Sequence, residues 1–219
     1  MKEIVYPFDN TVFSSKTSVF IDACFLLALL DKKDRKFQEC IDVSKILLDN
    51  KCQLYISPIV LAEVINKLIY QLFLQDILHQ TYNSKPINSL KNIKIIIRKF
   101  SKADQNNISK SIIKEINKIN FKKYFDRICK SNNYKLLEVY FQKATELEKV
   151  LESKLHIKYV SINKQTVIDA RNYISQDLMG VNDAFHLSIT IQNNIDYLLT
   201  LDKDFKRIQS SNNVTILKI

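Results

Sequence analysis

Four carboxylates stand where apolar segments stop or turn. Asp22 ends "SVFID", Asp202 ends "DYLLTLD", Glu63 lies in "SPIVLAEV" and Asp183 in "GVNDAF". Singly, each has an ordinary explanation. Asp22 can cap a helix, Asp202 can serve a turn, Asp183 is a favourable charge at a helix start, and Glu63 can be a chance exposed position. Together they have a different meaning, because four anions in one cleft repel one another unless a cation neutralises them. Hard oxygen donors suit Mg²⁺ or Mn²⁺, which keep several waters and bind a few carboxylates plus a substrate phosphate. Such a centre supports phosphodiester hydrolysis by activating water and stabilising the leaving oxygen, with no Ser, Cys or His nucleophile. The chain has a single glycine, Gly180, so a glycine-rich phosphate loop is excluded, and it carries no GxSxG or GxGxxG motif.

These carboxylates need elements to place them. "SVFI" is a short β-prone run with an apolar helix after it, and "DRKFQECIDVSKILLDN" has helical spacing at Phe37, Cys40, Ile41, Leu47 and Leu48. "QLYIS" reads as a strand, and Ser57-Pro58 is a helix start, serine capping and proline fitting the first turn. "IKYVSI" is a further strand, followed by a helix with Asn163 as cap, a helix opened by Gly180, and the strands "DYLLTLD" and "NVTILKI". Strands alternating with helices predict an α/β fold, a mostly parallel sheet flanked by helices on both faces. Ligands of such sheets bind beyond the carboxyl ends of the strands. That places Asp22 and Asp202 on one edge, with Glu63 and Asp183 near it. Residues 1–17 are read only as an extra strand or arm.

From 82 to 155 the pattern changes. No strand is evident, and "INSLKNIKIIIRKF", "ISKSIIKEINKINFKKYFDRICK" and "YKLLEVYFQKATELEKVLESKL" each read as one amphipathic helix. This is a large helical insertion, since the strand–helix alternation resumes after it, and the chain is read as one domain, 1–219. The net charge of +10 resides there: Lys85–Lys154 holds 17 basic and 7 acidic residues, whereas the remainder holds 16 of each. A basic segment beside a neutral remainder suggests a polyanion-facing surface. Lys122, Lys123 and Arg127 are its candidate phosphate contacts. The alternative is a solvated helical surface, lid or dimer face in a lysine-rich chain.

Several classes are set aside. No apolar run approaches the ~18 residues of a membrane span, and "MKEIVYPFDN" is unlike a secretory leader. Cys24, Cys40, Cys52 and Cys129 show no CxxC spacing, and His79, His156 and His186 form no zinc-like cluster. Reduced thiols and a cytoplasmic location are expected.

"FIDACFLLALLD", "YISPIVLAEVINKLI", "GVNDAFHLSITIQNN" and "DYLLTLDKDF" resemble, in order and spacing, the motifs of the PIN domain family, and most closely its VapC-type toxin nucleases. The resemblance covers roughly 18–79 and 157–217, outside the basic segment. It implies that Asp22, Glu63, Asp183 and Asp202 are the metal-binding catalytic carboxylates. Asp204, in the "DF" pair, is a less regular ligand. Thr200 matches a polar position beside the metal, and Ser57 a hydroxyl near the substrate edge. The implied activity is a Mg²⁺- or Mn²⁺-dependent endoribonuclease leaving a 5′-phosphate and a 3′-hydroxyl. A cognate antitoxin and a homodimer are the implied partners beside RNA. One departure is Cys24, where many relatives carry a small hydroxyl or asparagine. The competing readings are a catalytically silent PIN-like module that binds RNA or protein, and a related DNA nuclease.

Overall fold

The computed structural model describes residues 2–81, 83–203, 205 and 214–219. The chain divides into two compact units, Met1–Val64 with Val150–Ile219, and Ile65–Lys149.

The first unit is built on a sheet. Strands β1 (Lys2–Val5), β2 (Ser18–Ile21), β3 (Gln53–Ile56), β4 (Lys158–Tyr159), β5 (Tyr197–Thr200) and β6 (Thr215–Lys218) lie in the order β1-β6-β5-β2-β3-β4. Every pairing among them is parallel, so the sheet is all-parallel rather than mostly so. The N-terminal stretch, read as an extra strand or arm, supplies edge strand β1, paired with β6 from Lys2↔Thr215 to Val5↔Lys218. At the other edge β4 is only two residues long and exposed on both, shorter than "IKYVSI" suggests. The last three residues of β2, β5 and β6 are buried, on both faces of the sheet, which is what helices on each side of a parallel sheet produce.

Helices α1 (Ala23–Leu30), α2 (Phe37–Asp49), the start of α3 (Pro58–Ile77), α9 (Lys164–Gln176) and α10 (Val181–Gln192) complete this unit. Their starts follow the expected chemistry. Ser57 Oγ accepts from Val60 N at 3.3 Å at the head of α3. Asn163 forms a full capping box with Thr166 at the head of α9. Chain order along the sheet reverses between β2 and β5. From β2 the chain moves outward to β3 and β4, and from β5 it moves the other way to β6. In an open α/β sheet this reversal leaves a crevice at the carboxyl ends of the two strands.

The second unit is helical and contains no strand among the described residues: the rest of α3, α4 (Leu90–Ile97), α5 (Lys102–Ser109), α6 (Ile113–Ile116), α7 (Phe121–Cys129), a 3₁₀ turn (Tyr134–Leu137) and most of α8 (Glu138–Leu155). The segment expected as one helix from Ile108 to Lys130 is broken. Ser111 adopts a left-handed conformation (φ 51°), and Asn120 starts α7 afresh by accepting from Lys123 N at 2.9 Å. The core is aromatic: Phe73 packs edge-on against Phe125 at 5.2 Å and Tyr140 at 6.0 Å. Asp76, fully buried, accepts from Ile87 N at 2.6 Å and Asn88 N at 2.9 Å, pinning the connection between α3 and α4. Among the described residues no helix is long and apolar enough to cross a membrane.

Candidate active site

Asp22 and Thr200 meet across the crevice between β2 and β5. Asp22 N donates to Leu199 O at 3.0 Å, continuing the ladder one residue past β2. Although Asp22 precedes α1, its side chain makes no cap hydrogen bond. Its carboxylate turns across the crevice instead. Oδ2 accepts from the Thr200 hydroxyl at 2.7 Å and from the Cys24 thiol at 2.8 Å. The ordinary capping explanation for Asp22 therefore fails on geometry. Asp22 is buried and Thr200 fully so, and a buried charge needs such donors.

Cys24 joins both strand ends. Its sulfur donates to Asp22 and accepts from Leu201 N at 3.2 Å. Burial, and then the adjacent Asp22 charge, push the Cys24 thiol far above its ordinary value. It is a proton donor here and no thiolate nucleophile. The substitution noted in the sequence thus retains the donor that a hydroxyl would supply.

Sequence spacing does not single out His186, on α10, because it has no histidine or cysteine neighbour along the chain. In the fold it is fully buried, with Nε2 at 3.4 Å from Asp22 Oδ1 and 3.8 Å from Glu63 Oε2. Its ring lies 5.7 Å from that of Phe20. Neither ring nitrogen makes an aligned hydrogen bond. A buried polar atom without a hydrogen bond costs about 1–3 kcal/mol, so its place beside two carboxylates bears on function. One signal pointed to it: His186 lies three residues after Asp183 on one helix, hence on the same side.

Glu63 is largely covered, its side chain 18 % exposed, and Oε2 accepts from Asn182 Nδ2 at 2.8 Å. This bond ties α3 to the first turn of α10, where Asp183 sits half-buried. Gly180 precedes that turn. A Cβ there would stand 2.9 Å from Asp183 Oδ2, so the glycine gives the carboxylate room to fold back over the helix start. Asp202 follows β5; its N–H donates to Thr200 Oγ1 at 2.9 Å, and the buried Lys218 amine donates to its carbonyl. Asp204 lies outside the described residues. Ser57 is fully buried, and its hydroxyl is engaged at the head of α3.

The three basic candidates belong to the helical unit and have local engagements. Lys122 pairs with Asp126 at 2.8 Å and lies over Phe125 at 5.0 Å. Arg127 donates to Lys99 O at 2.6 Å and covers the Tyr124 ring at 4.9 Å. Lys123 is exposed.

Would these residues fit a divalent cation? Asp22 and Glu63 offer hard oxygens on either side of a buried imidazole nitrogen that makes no hydrogen bond, a donor set suited to a hard cation. No group of three or more His, Cys, Asp and Glu among the described residues is gathered so as to hold a metal ion. The donor chemistry therefore fits a cation bound by few protein ligands, with water and phosphate completing its shell, and does not fit a closed protein cage.

An all-parallel sheet with one buried carboxylate, Asp22, at its reversal point places the candidate site where open α/β sheets bind their ligands. The PIN domain family model matches residues 109–210. That span includes Asp183, Asp202 and Asp204, and begins after Asp22 and Glu63. The match covers less than half of the chain and agrees with the motif resemblance to that family, whose members are generally nucleases. No curated protein matches. Among solved structures, the crystal structure of VapBC2 from Rickettsia felis bound to a DNA fragment from their promoter is similar at 14 % identity, over 91 % of this chain and 97 % of that one, with a TM-score of 0.47.

Proposed function

We propose that the protein is a metal-dependent endoribonuclease that hydrolyses RNA phosphodiester bonds, with Mg²⁺ or Mn²⁺ bound by Asp22, Glu63, Asp183 and Asp202, and with Asp204 as an auxiliary ligand. The observation that carries this reading is the pair Asp22 and Glu63, held at the crevice and facing the same unpartnered His186 nitrogen. The chemistry supplied by a bound divalent cation is activation of water and neutralisation of charge at the phosphodiester. The chain's own residues position and desolvate. Thr200 and Cys24 fix one oxygen of Asp22 and leave the other directed at His186. Asn182 orients Glu63, and Gly180 leaves room for Asp183. In the reaction the water oxygen bonds to phosphorus as the bond from phosphorus to the 3′ oxygen breaks, leaving a 5′-phosphate and a 3′-hydroxyl.

On this reading the domain is the whole chain, 1–219, with 82–155 inserted into it as an RNA-facing segment. The VapC-type motifs support a protein antitoxin as a second partner and a homodimer as the resting form. One observation favours a silent binding module instead: Asp22 Oδ2 is already satisfied by two protein donors, and no three-ligand cluster is present among the described residues. A single experiment separates the two. Purified protein is assayed for cleavage of a structured RNA and of single-stranded DNA with Mn²⁺, Mg²⁺ or EDTA, beside Asp22→Asn. The nuclease reading expects metal-stimulated RNA cleavage, lost with EDTA and with Asp22→Asn. Cleavage that survives Asp22→Asn overturns the site. No Mn²⁺ binding by calorimetry at millimolar metal favours the silent module, and preferential cutting of DNA identifies the related nuclease class.

A further inference from the structure

The helical unit contains a cavity of about 600 Å³ between the end of α3 and helices α4 and α5. Its floor is aliphatic, with Ile93, Ile97 and Ile108 among the lining residues, and its cations are Lys94 and Arg98, with the His79 imidazole also lining it. Asn106 and Ser109 add an amide and a hydroxyl. No carboxylate lines it among the described residues. Lys94 and Arg98 are exposed and follow each other one helical turn apart, so their side chains project from the same side of α4. In this they differ from Lys122 and Arg127, whose charged groups are engaged by Asp126 and by the Lys99 carbonyl.

An apolar floor, two cations at helical spacing and neutral donors at the edge match the parts of a nucleotide. The base and ribose carry apolar faces and neutral hydrogen-bonding edges, and the phosphate is a compact anion that Lys and Arg bind. The volume lies within the range of small-ligand pockets. Single-stranded nucleic acids are gripped in this way, by bases set on apolar or aromatic surface beside a cationic track. We propose that this cavity seats one nucleotide of a single-stranded RNA, its phosphate between Lys94 and Arg98 and its base on the isoleucine floor. The identity of the polymer as RNA rests on the proposed function; the site itself does not. Of the lining residues, only Ser109 falls within the span matched by the family model.

A second role competes for the same cations. Both sit near the carboxyl end of α4, where positive charge offsets the helix's partial negative charge. Binding and stability measurements separate the two. Full-length Asp22→Asn protein is titrated by fluorescence anisotropy with a labelled 12-nucleotide RNA from 50 to 300 mM salt, with and without Lys94→Gln/Arg98→Gln, and with urea unfolding of each. The expected result is an affinity lowered about tenfold and a log–log salt slope reduced by about 0.7, the value for one phosphate contact on a single strand. The urea midpoint is expected to be unchanged, and an RNA carrying 4-thiouridine is expected to cross-link to α4 or α5. Unchanged affinity and slope overturn the site, as does a reduced urea midpoint with unchanged binding, which assigns the cations to the helix end. An abasic oligonucleotide or poly-glutamate that binds as well as RNA overturns the nucleotide assignment in favour of a general polyanion or acidic protein segment. A uridine monophosphate that binds the cavity while the oligonucleotide does not overturns the strand assignment. If wild-type protein cuts no RNA yet binding still depends on Lys94 and Arg98, the nuclease reading fails and this site stands.

Discussion

Thr200→Val tests whether the Asp22 carboxylate is held by the hydrogen bonds described. Valine keeps the shape of threonine and removes the hydroxyl. Thr200 Oγ1 donates to Asp22 Oδ2 at 2.7 Å and accepts from Asp202 N at 2.9 Å, and the residue is fully buried. A hydrogen bond to a charged group is worth about 1.5–3 kcal/mol. Asp202 is only half-buried, so water can replace the lost acceptor, and that bond adds about 1 kcal/mol or less. The variant should lose about 2–4 kcal/mol. Thr200→Ser keeps the hydroxyl and loses one buried methyl, for about 0.5–1.5 kcal/mol. In urea, with an m value of about 2–3 kcal/mol/M, Thr200→Val should unfold about 1 M earlier at unchanged m, with Thr200→Ser between it and the wild type. Saturating Mn²⁺ should raise the wild-type midpoint more than that of the valine variant, because binding to the folded state alone adds stability that grows with the logarithm of affinity. A valine variant within about 0.2 M of wild type, or one more stable than the serine variant, would refute the claim that Thr200 holds Asp22.

Three further outcomes follow from the same geometry. His186→Leu removes two buried nitrogens that have no partner. Its urea midpoint should equal or exceed that of wild type while Mn²⁺ affinity by calorimetry falls about 10–100-fold, and strong destabilisation with unaltered affinity would make His186 a plain core residue. Asp76→Ala strands the N–H groups of Ile87 and Asn88 and should cost about 3–5 kcal/mol, read as lost hydrogen-exchange protection in α3 and α4; retained protection would show that water replaces the carboxylate. Burial pushes the Cys40 thiol up to about 12 and Cys24 higher still. Folded protein therefore holds these protons after the unfolded chain has lost them, so stability is full below about pH 9 and falls as pH rises from there toward 12, by about 1.4 kcal/mol per unit for each thiol. Cys40→Ala should flatten that decline, and an identical slope would show that Cys40 ionises alike in both states.

The parts of the site that were legible in the sequence are those set by local pattern. A β-prone run that ends in a charge places Asp22 at a strand terminus, and the same reading of "LLTLD" places Thr200 and Asp202 at the next. Ser57 and Asn163 announce helix starts by their capping chemistry, and both cap as read. His186 was hidden because its relevance comes from tertiary contact: α10 brings it to Asp22 and Glu63, which lie far from it in sequence. Cys24 was visible as a departure, but its bond to Leu201 N exists only once β5 lies beside β2. In the helical unit the periodicity showed helices and missed their breaks. "SKAD" held a signal for α5 that was not used: Ser101 Oγ accepts from Asp104 N and donates to Asp104 Oδ2, a serine–acid pair at capping spacing.

Charge counting met a similar boundary. The central excess of basic residues is a property of composition, and it assigns every lysine and arginine there the same prior claim on a phosphate. Folding removes that equivalence. Lys122 meets Asp126 one turn on, and Arg127 is drawn to the Lys99 carbonyl and the Tyr124 ring, so each must break an existing contact before it can serve RNA. Lys94 and Arg98 line a concavity without a neighbouring carboxylate, so they bear no such competition. Since a cation's affinity for a phosphate is reduced by whatever it already binds, the proposed nucleotide site falls on the cations that the fold leaves beside an apolar floor and neutral polar groups.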